Sequence, residues 1–186
     1  MRKGDFVIDV GANIGIYTKF LSDFVGPTGK VISIKPIPEM YSYLRNNHQK
    51  LNLKNVKTIN IALSDKKNSV PFIIPNSNTG ELCTRARLTN DFENHTESSI
   101  LVDTIKLDKL IQSSAQKITF IKIDVEGHEY FVLQGAKITI RKFNPALLIE
   151  VEGEPTEMNS VASKLFSLLN FYSYEPYVYL NNKLSY

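Results

Sequence analysis

Three stretches of this 186-residue chain gather residue types able to do chemistry. The first, Asp9-Val10-Gly11-Ala12-Asn13-Ile14-Gly15, stands where a short apolar run gives way to a helical pattern. Its glycines let the backbone come close to a ligand, and the helix amides beyond them can receive a carboxylate or hydroxyl. The spacing Gly-x-x-x-Gly is not the dinucleotide fingerprint Gly-x-Gly-x-x-Gly, and no Gly-Lys-Ser/Thr follows to make a phosphate loop. A glycine turn that only packs helix on strand is the competing reading. The second stretch, Asp124-Val125-Glu126-Gly127-His128-Glu129, puts acids and an imidazole at the end of an apolar β-branched run, within reach of a ligand bound there. Glu126 and Glu129 also suit the first turn of the following helix, with His128 merely solvated. The third, Glu150-Val151-Glu152, ends another such run and could wall the same site or pair with loop lysines.

The elements that must position these groups follow from periodicity. Phe6–Val10, Val31–Ile34, Val56–Leu63, Ile118–Asp124 and Ala146–Val151 are apolar runs of strand length. Tyr17, Phe20, Leu21, Phe24 and Val25 recur at helical spacing before a Gly26-Pro27 stop. Pro38 suits the first turn of a second helix carrying Met40, Tyr41 and Leu44 and fading near His48 to Leu51. Val70–Ile74 predicts a short antiparallel piece, Ile100–Lys106 alternates again, and Leu107–Ile111 reads as a brief helix. A helical region spans Glu129–Phe143 with Gly135 as a break, another spans Met158–Leu169, and Tyr172–Leu180 reads as a strand with Asn181-Asn182 as a hairpin turn. Strands alternating with helices are the signature of a mostly parallel sheet covered on both faces, so the expected class is α/β and the organisation a single domain, residues 1–186. From Pro75 to Ser99 the pattern collapses into a polar loop, where Asn78, Thr79, Gly80, Arg85 and Arg87 are candidates for substrate selection.

Composition narrows the classes. Lys+Arg 22 against Asp+Glu 19 gives a net charge of +3, too weak to mark a nucleic-acid binder, and the terminal tyrosines have no basic stripe beside them. Cys83 is the single cysteine, so no intrachain disulfide forms and a reduced compartment suits the chain. No apolar run approaches the roughly eighteen residues of a membrane span, and Asp5 interrupts any signal-like start. These features predict a soluble, cytoplasmic protein with no membrane or nucleic-acid partner. His48, His95 and His128 form no His-x-x-x-His pair; Asp124, Glu126, His128 and Glu150 could ligate a hard cation in principle, but no metal is expected.

Taken in order, Val7-Ile-Asp-Val-Gly-Ala-Asn-Ile-Gly15, Pro36-x-Pro38, Ala62-Leu63-Ser64-Asp65, Thr104–Asp108, Ile121–Glu129 and Leu148-Ile149-Glu150 resemble the FkbM-type family of S-adenosylmethionine-dependent methyltransferases from about Asp5 to Glu152. The resemblance implies a Rossmann-like class I methyltransferase fold, a mostly parallel sheet of about seven strands with one antiparallel strand. It further implies that Asp9, Gly11, Asn13 and Gly15 line the methionine part of S-adenosylmethionine, that Ala62, Leu63 and Asp65 lie beside adenine, and that Asp124 sits near the methionine amine. A ligand carrying an ammonium, a carboxylate and a sulfonium needs acids and backbone donors around it.

One position departs from the family. An acid there ends the second strand and accepts from both ribose hydroxyls; this chain has Lys35, which has three donors and no acceptor. The loss of such a charged contact is roughly 1.5–3 kcal/mol, about ten- to a hundredfold in affinity. Glu39, one helical turn onward, is the candidate replacement. A 2′-phosphate on a nicotinamide cofactor and a catalytically impaired binding module are the two other readings of Lys35. Methyl transfer from a sulfonium is an in-line displacement, so the residues must align the acceptor and, for a hydroxyl, remove its proton. Glu126 and His128 are the candidates for that base, and Glu150 and Asn78 for the acceptor wall. By family analogy the acceptor is a hydroxyl on a sugar or other small molecule.

Overall fold

Every residue of Phe6–Val10 (β1) is buried, and on each side it pairs in parallel with another strand, which is why its sequence is apolar without alternation. The chain continues through α1 (Ile16–Val25), β2 (Lys30–Ile34), α2 (Pro38–Lys50), β3 (Val56–Ile59), β4 (Ala62–Leu63), β5 (Asn68–Ile74), β6 (Arg87–Leu88) and β7 (Ser98–Ile105). It ends with α3 (Leu107–Leu110), β8 (Ile118–Ile123), α4 (Glu129–Gln134), α5 (Lys137–Phe143), β9 (Ala146–Ile149), α6 (Val161–Phe171), β10 (Val178–Leu180) and β11 (Lys183–Ser185). This computed structural model describes residues 1–74, 87–88, 98–112, 116–152, 156–180 and 183–185. Asn78, Thr79, Gly80, Cys83, Arg85 and His95 lie outside the described residues.

The central sheet is parallel, in the order β3-β2-β1-β8-β9. The chain winds outward from β1 to β3 and then returns to the other side of β1, so the strand order reverses between β1 and β8. Ligand crevices open at that point in such sheets. On one face Val7, Val31 and Phe120 meet Leu21 and Val25 of α1; on the other, Ile8, Ile34, Ile121 and Ile123 meet Val132 and Leu133 of α4, Ile140 of α5 and Leu165 of α6. The expected α/β class with helices on both faces is therefore the one observed.

Among the described residues the expected sheet of about seven strands is corrected to five. Four more strands form a second sheet, β4-β7-β5-β6, in which β4 and β7 are parallel and β5 is antiparallel to both neighbours, and β10 and β11 pair only with each other. The stretch Val56–Leu63, expected as one strand, divides at Asn60. The Asn60 side-chain amide donates to the carbonyls of Lys35 (2.8 Å) and Pro36 (2.7 Å), which ends pairing along β2 and turns the chain into the second sheet. Sequence pattern registers strand propensity; it does not register a side chain replacing a ladder bond.

Local chemistry accounts for the boundaries. Gly15 (φ 98°) starts α1 and Gly26 (φ 68°) stops it, both in backbone regions that a side chain disfavours. The helix expected from Met158 begins instead at Val161, because Ser160 is extended and its Oγ accepts from Ser163 N at 3.0 Å. The strand expected from Tyr172 is confined to Val178–Leu180: Tyr172 and Tyr174 close the end of α6, and Tyr174 Oη donates to Pro145 O at 2.7 Å. β10 and β11 pair with Leu180 opposite Lys183, as a two-residue hairpin requires. No helix among the described residues is long and apolar enough to cross a membrane.

Candidate active site

The carboxyl ends of β1, β2 and β8 and the short β4 surround a cavity of about 740 Å³, its open mouth included. Gly11 and Asn13 form its base, Ile34-Lys35-Pro36 one side, and Asp124-Val125-Glu126 with His128 and Glu150 the other. Ile61, Ala62, Leu63 and Phe72 supply an apolar wall. Of the residues singled out from sequence, Gly11, Asn13, Lys35, Ala62, Leu63, Asp124, Glu126, His128 and Glu150 are thus brought together. Asn78 lies outside the described residues.

Three expected cofactor contacts do not line the cavity. Asp9 is fully buried beneath it, where Thr18 Oγ1 donates to its Oδ2 at 2.6 Å. Gly15 is the turn into α1, packed against Leu44 of α2. Asp65 is turned toward the Ser64 hydroxyl, 3.2 Å from its Oδ1. Glu39, the candidate replacement for a ribose acid, is exposed on the first turn of α2 and is not among the lining residues. Ile34, Pro36, Ile61 and Val125 adjoin positions already singled out, whereas Phe72 had no local signal. It arrives by long-range pairing of β5 with β7.

Gly11 explains how β1 and β8 come so close. Its φ is +80°, and an added Cβ would lie 1.7 Å from the Asp124 carbonyl oxygen. Asn13, also left-handed at φ 48°, buries its Oδ1 without a hydrogen-bond partner in the structure. A buried unpartnered acceptor is costly unless a ligand supplies the donor. Beyond β8, Glu129 Oε1 accepts from the amides of Val125 and Gly127, each at 3.1 Å. Glu129 is therefore the residue that shapes this loop, and Glu126 between those amides is held at φ 53°. A non-glycine residue in that region stores strain that the surroundings must sustain.

The electrostatics separate the two candidate bases. Burial, then proton sharing with Glu152 and the charges of Glu152, Asp124 and Glu150, push the Glu126 carboxyl up to about 7. Burial takes His128 down to about 4, only partly opposed by the Asp65 charge. The imidazole is 3.0 Å from Ser64 Oγ through Nε2 and stacks on Phe131 at 4.7 Å. Burial would raise Asp124, yet hydrogen bonds from Glu150 and Lys122 and the charges of Lys122 and Lys35 bring it below its ordinary value. Glu150 is raised in turn, first by its hydrogen bond to Asp124. The described residues contain no cluster of ligands suited to a metal ion.

The sequence profile of the FkbM methyltransferase domain matches residues 9–176. The chain belongs to that family. Among curated proteins, this FkbM chain is 25% identical over 169 residues to the hexuronic acid methyltransferase AglP of Haloferax volcanii, covering 88% of this chain and 63% of AglP. It is 34% identical over 59 residues to a protein-L-isoaspartate O-methyltransferase of Methanothrix thermoacetophila, covering 32% of this chain and 28% of that enzyme. The FkbM chain therefore spans less than two thirds of the length of these relatives. A solved FkbM methyltransferase from Methylobacillus flagellatus superposes with TM-score 0.61 at 19% identity, over 90% of this chain and 38% of that one. Aeropyrum pernix fibrillarin, solved with natively bound S-adenosyl-L-methionine, superposes with TM-score 0.57 at 13% identity, over 97% and 62%. These likenesses show the class I methyltransferase fold.

Proposed function

We propose that this chain is an S-adenosylmethionine-dependent methyltransferase that acts on a hydroxyl of a small-molecule acceptor, with a sugar favoured by the likeness to AglP. The observation that carries the reading is the cavity at the β1/β8 crossing, in which a glycine base, an unpartnered Asn13 acceptor and an ionised Asp124 stand across from an apolar wall. Those residues fit the cofactor: Gly11 and Asn13 with Asp124 would hold its amino-acid end, and Ala62, Leu63 and Phe72 its adenine. Bound there, the cofactor supplies a methyl group on an electrophilic sulfonium.

The residues of the chain then have two tasks, alignment and proton removal. Glu126 is the base, because a carboxyl that titrates at about 7 is half ionised at neutral pH while retaining basicity. His128, pushed down to about 4, is neutral but weakly basic, and its contacts with Ser64 and Phe131 make it an orienting wall. Glu150 would receive an acceptor hydroxyl. Lys35 turns the ribose contact from acceptance to donation, which leaves a weakened site.

Calorimetric binding of S-adenosylmethionine and S-adenosylhomocysteine to the parent and to Lys35→Glu tests the reading. The expected result is binding by the parent, tightened about tenfold or more by the substitution. Binding by neither would remove the methyltransferase reading and leave the fold as a ligand or partner module. Transfer of labelled methyl to a sugar panel that includes hexuronic acids then addresses the acceptor.

A further inference from the structure

The face of the central sheet that meets α1 changes character along its length. Val7, Val31 and Phe120 are apolar, but one step short of the carboxyl ends the register aligns Thr58, Ser33, Asp9 and Lys122 side by side across β3, β2, β1 and β8. Ser33, Asp9 and Lys122 are buried. They are joined: Thr18 Oγ1 donates to Asp9 Oδ2, so Ser33 Oγ, 2.8 Å from Thr18 Oγ1, donates to that oxygen. Lys122 Nζ lies 3.8 Å from Asp9 Oδ1 and 2.8 Å from Asp124 Oδ2. The Tyr17 ring covers the ammonium at 4.8 Å from its centroid, a cation–π contact that also keeps water away.

A buried lysine between two acids costs desolvation and is weak evidence for stability. Its geometry makes sense for function, because only Asp124 of the two acids lines the cavity. We propose that Lys122 is a positioning residue for the cofactor: anchored on Asp9 beneath the sheet ends, it fixes the place and charge of the Asp124 carboxylate that receives the cofactor's ammonium. The inference rests on the cofactor reading above. Asp9 Oδ1, 3.8 Å from Nζ, is then the second carboxyl oxygen that faces the buried Lys122; burial pushes the Asp9 carboxyl up and the Lys122 charge opposes that. The other groups facing Asp124 are Glu150 at the end of β9, Lys35 at the end of β2 and Glu126 of its own loop, and Lys122 is bonded to it directly.

The test compares two ligands that differ only at the end in question. S-adenosylhomocysteine carries the ammonium and carboxylate; 5′-methylthioadenosine lacks both. Titrations of the parent, Lys122→Met and Lys122→Arg are expected to show S-adenosylhomocysteine weakened about tenfold or more in Lys122→Met, with methylthioadenosine within about twofold of the parent. Lys122→Arg retains most of the preference, because it retains the charge. Equal weakening of both ligands in Lys122→Met would make Lys122 a structural residue and overturn the proposal. If the parent binds neither ligand, the cofactor reading itself fails and takes this role with it. Lys122→Met leaves Asp9 a buried acid without the ammonium that faces it, so should that variant not fold, Asp9→Asn/Lys122→Met, which removes both charges, is titrated in its place: S-adenosylhomocysteine weakened about tenfold with methylthioadenosine within about twofold supports the proposal, and equal weakening of both overturns it.

Discussion

Glu126 and His128 are two residues apart, yet their surroundings move them in opposite senses, the carboxyl up to about 7 and the imidazole down to about 4. Paired groups whose environments drive them apart are the usual mark of divided roles. If Glu126 removes the acceptor proton, kcat rises with pH through about 7, and Glu126→Gln loses that rise together with about a hundredfold or more of kcat. A pH–rate profile of the two proteins checks both statements. Stability follows separate signs. A raised carboxyl binds its proton more tightly in the folded state, so its contribution weakens as pH climbs from its ordinary 4.5 to about 7. A depressed imidazole does the reverse: its contribution is full above 6.5 and is lost as pH falls through about 4. Melting temperatures across that span are expected to fall less steeply on acidification in His128→Gln than in the parent. Residue types announced this cluster; the inequality of the two groups came from burial, which raises a carboxyl and lowers an imidazole, with Glu152 adding to the first and Phe131 and Ser64 packed against the second.

At the scale of elements, two glycines have different reasons to be glycine. Gly135 sits at φ −81°, where alanine is at ease and would gain about 1 kcal/mol of helix propensity. An added Cβ there would nevertheless lie 2.0 Å from Ser64 O, so the break between α4 and α5 is imposed by the crossing of the β4 loop. Gly11 combines a positive φ with a 1.7 Å approach to Asp124 O. Both Gly→Ala variants are expected to be destabilised by roughly 3 kcal/mol or more in urea unfolding, against the propensity trend for Gly135→Ala. The sequence marked Gly135 as a break but offered no means of telling a helix stop from a steric crossing, because the opposing carbonyl is 71 residues away in the chain. Asn60 is the same lesson in a strand, where one side-chain amide divides an apolar run between two sheets.

At the scale of the molecule, the cavity belongs to the assembled state alone: its walls come from β1, β2, β4, β5 and β8 together with the residue following β9. A ligand that binds there stabilises the native chain by mass action. At a hundred times its dissociation constant S-adenosylhomocysteine is expected to add about 2.7 kcal/mol, a rise in Tm of roughly 5–10 °C for a chain of this size. Thermal melts with and without ligand check this, and an unchanged Tm at that occupancy would disconnect the ligand from the folded cavity.

Composition and period determined the α/β class, the glycine turn after the first strand and the acidic ends of two later strands, because these are local patterns that fix which face each side chain occupies. The motif strings determined the family, and most of their polar residues do meet around one cavity. Tertiary structure alone decided the rest. Among the described residues it divided the strands five, four and two among three sheets and brought Phe72 to the cavity wall. It set Asp9 below the site and left Glu39 facing solvent. It also aligned Ser33, Asp9 and Lys122 into one buried row. Register, burial and charge pairing depend on residues far apart in the chain, and no local pattern carries them.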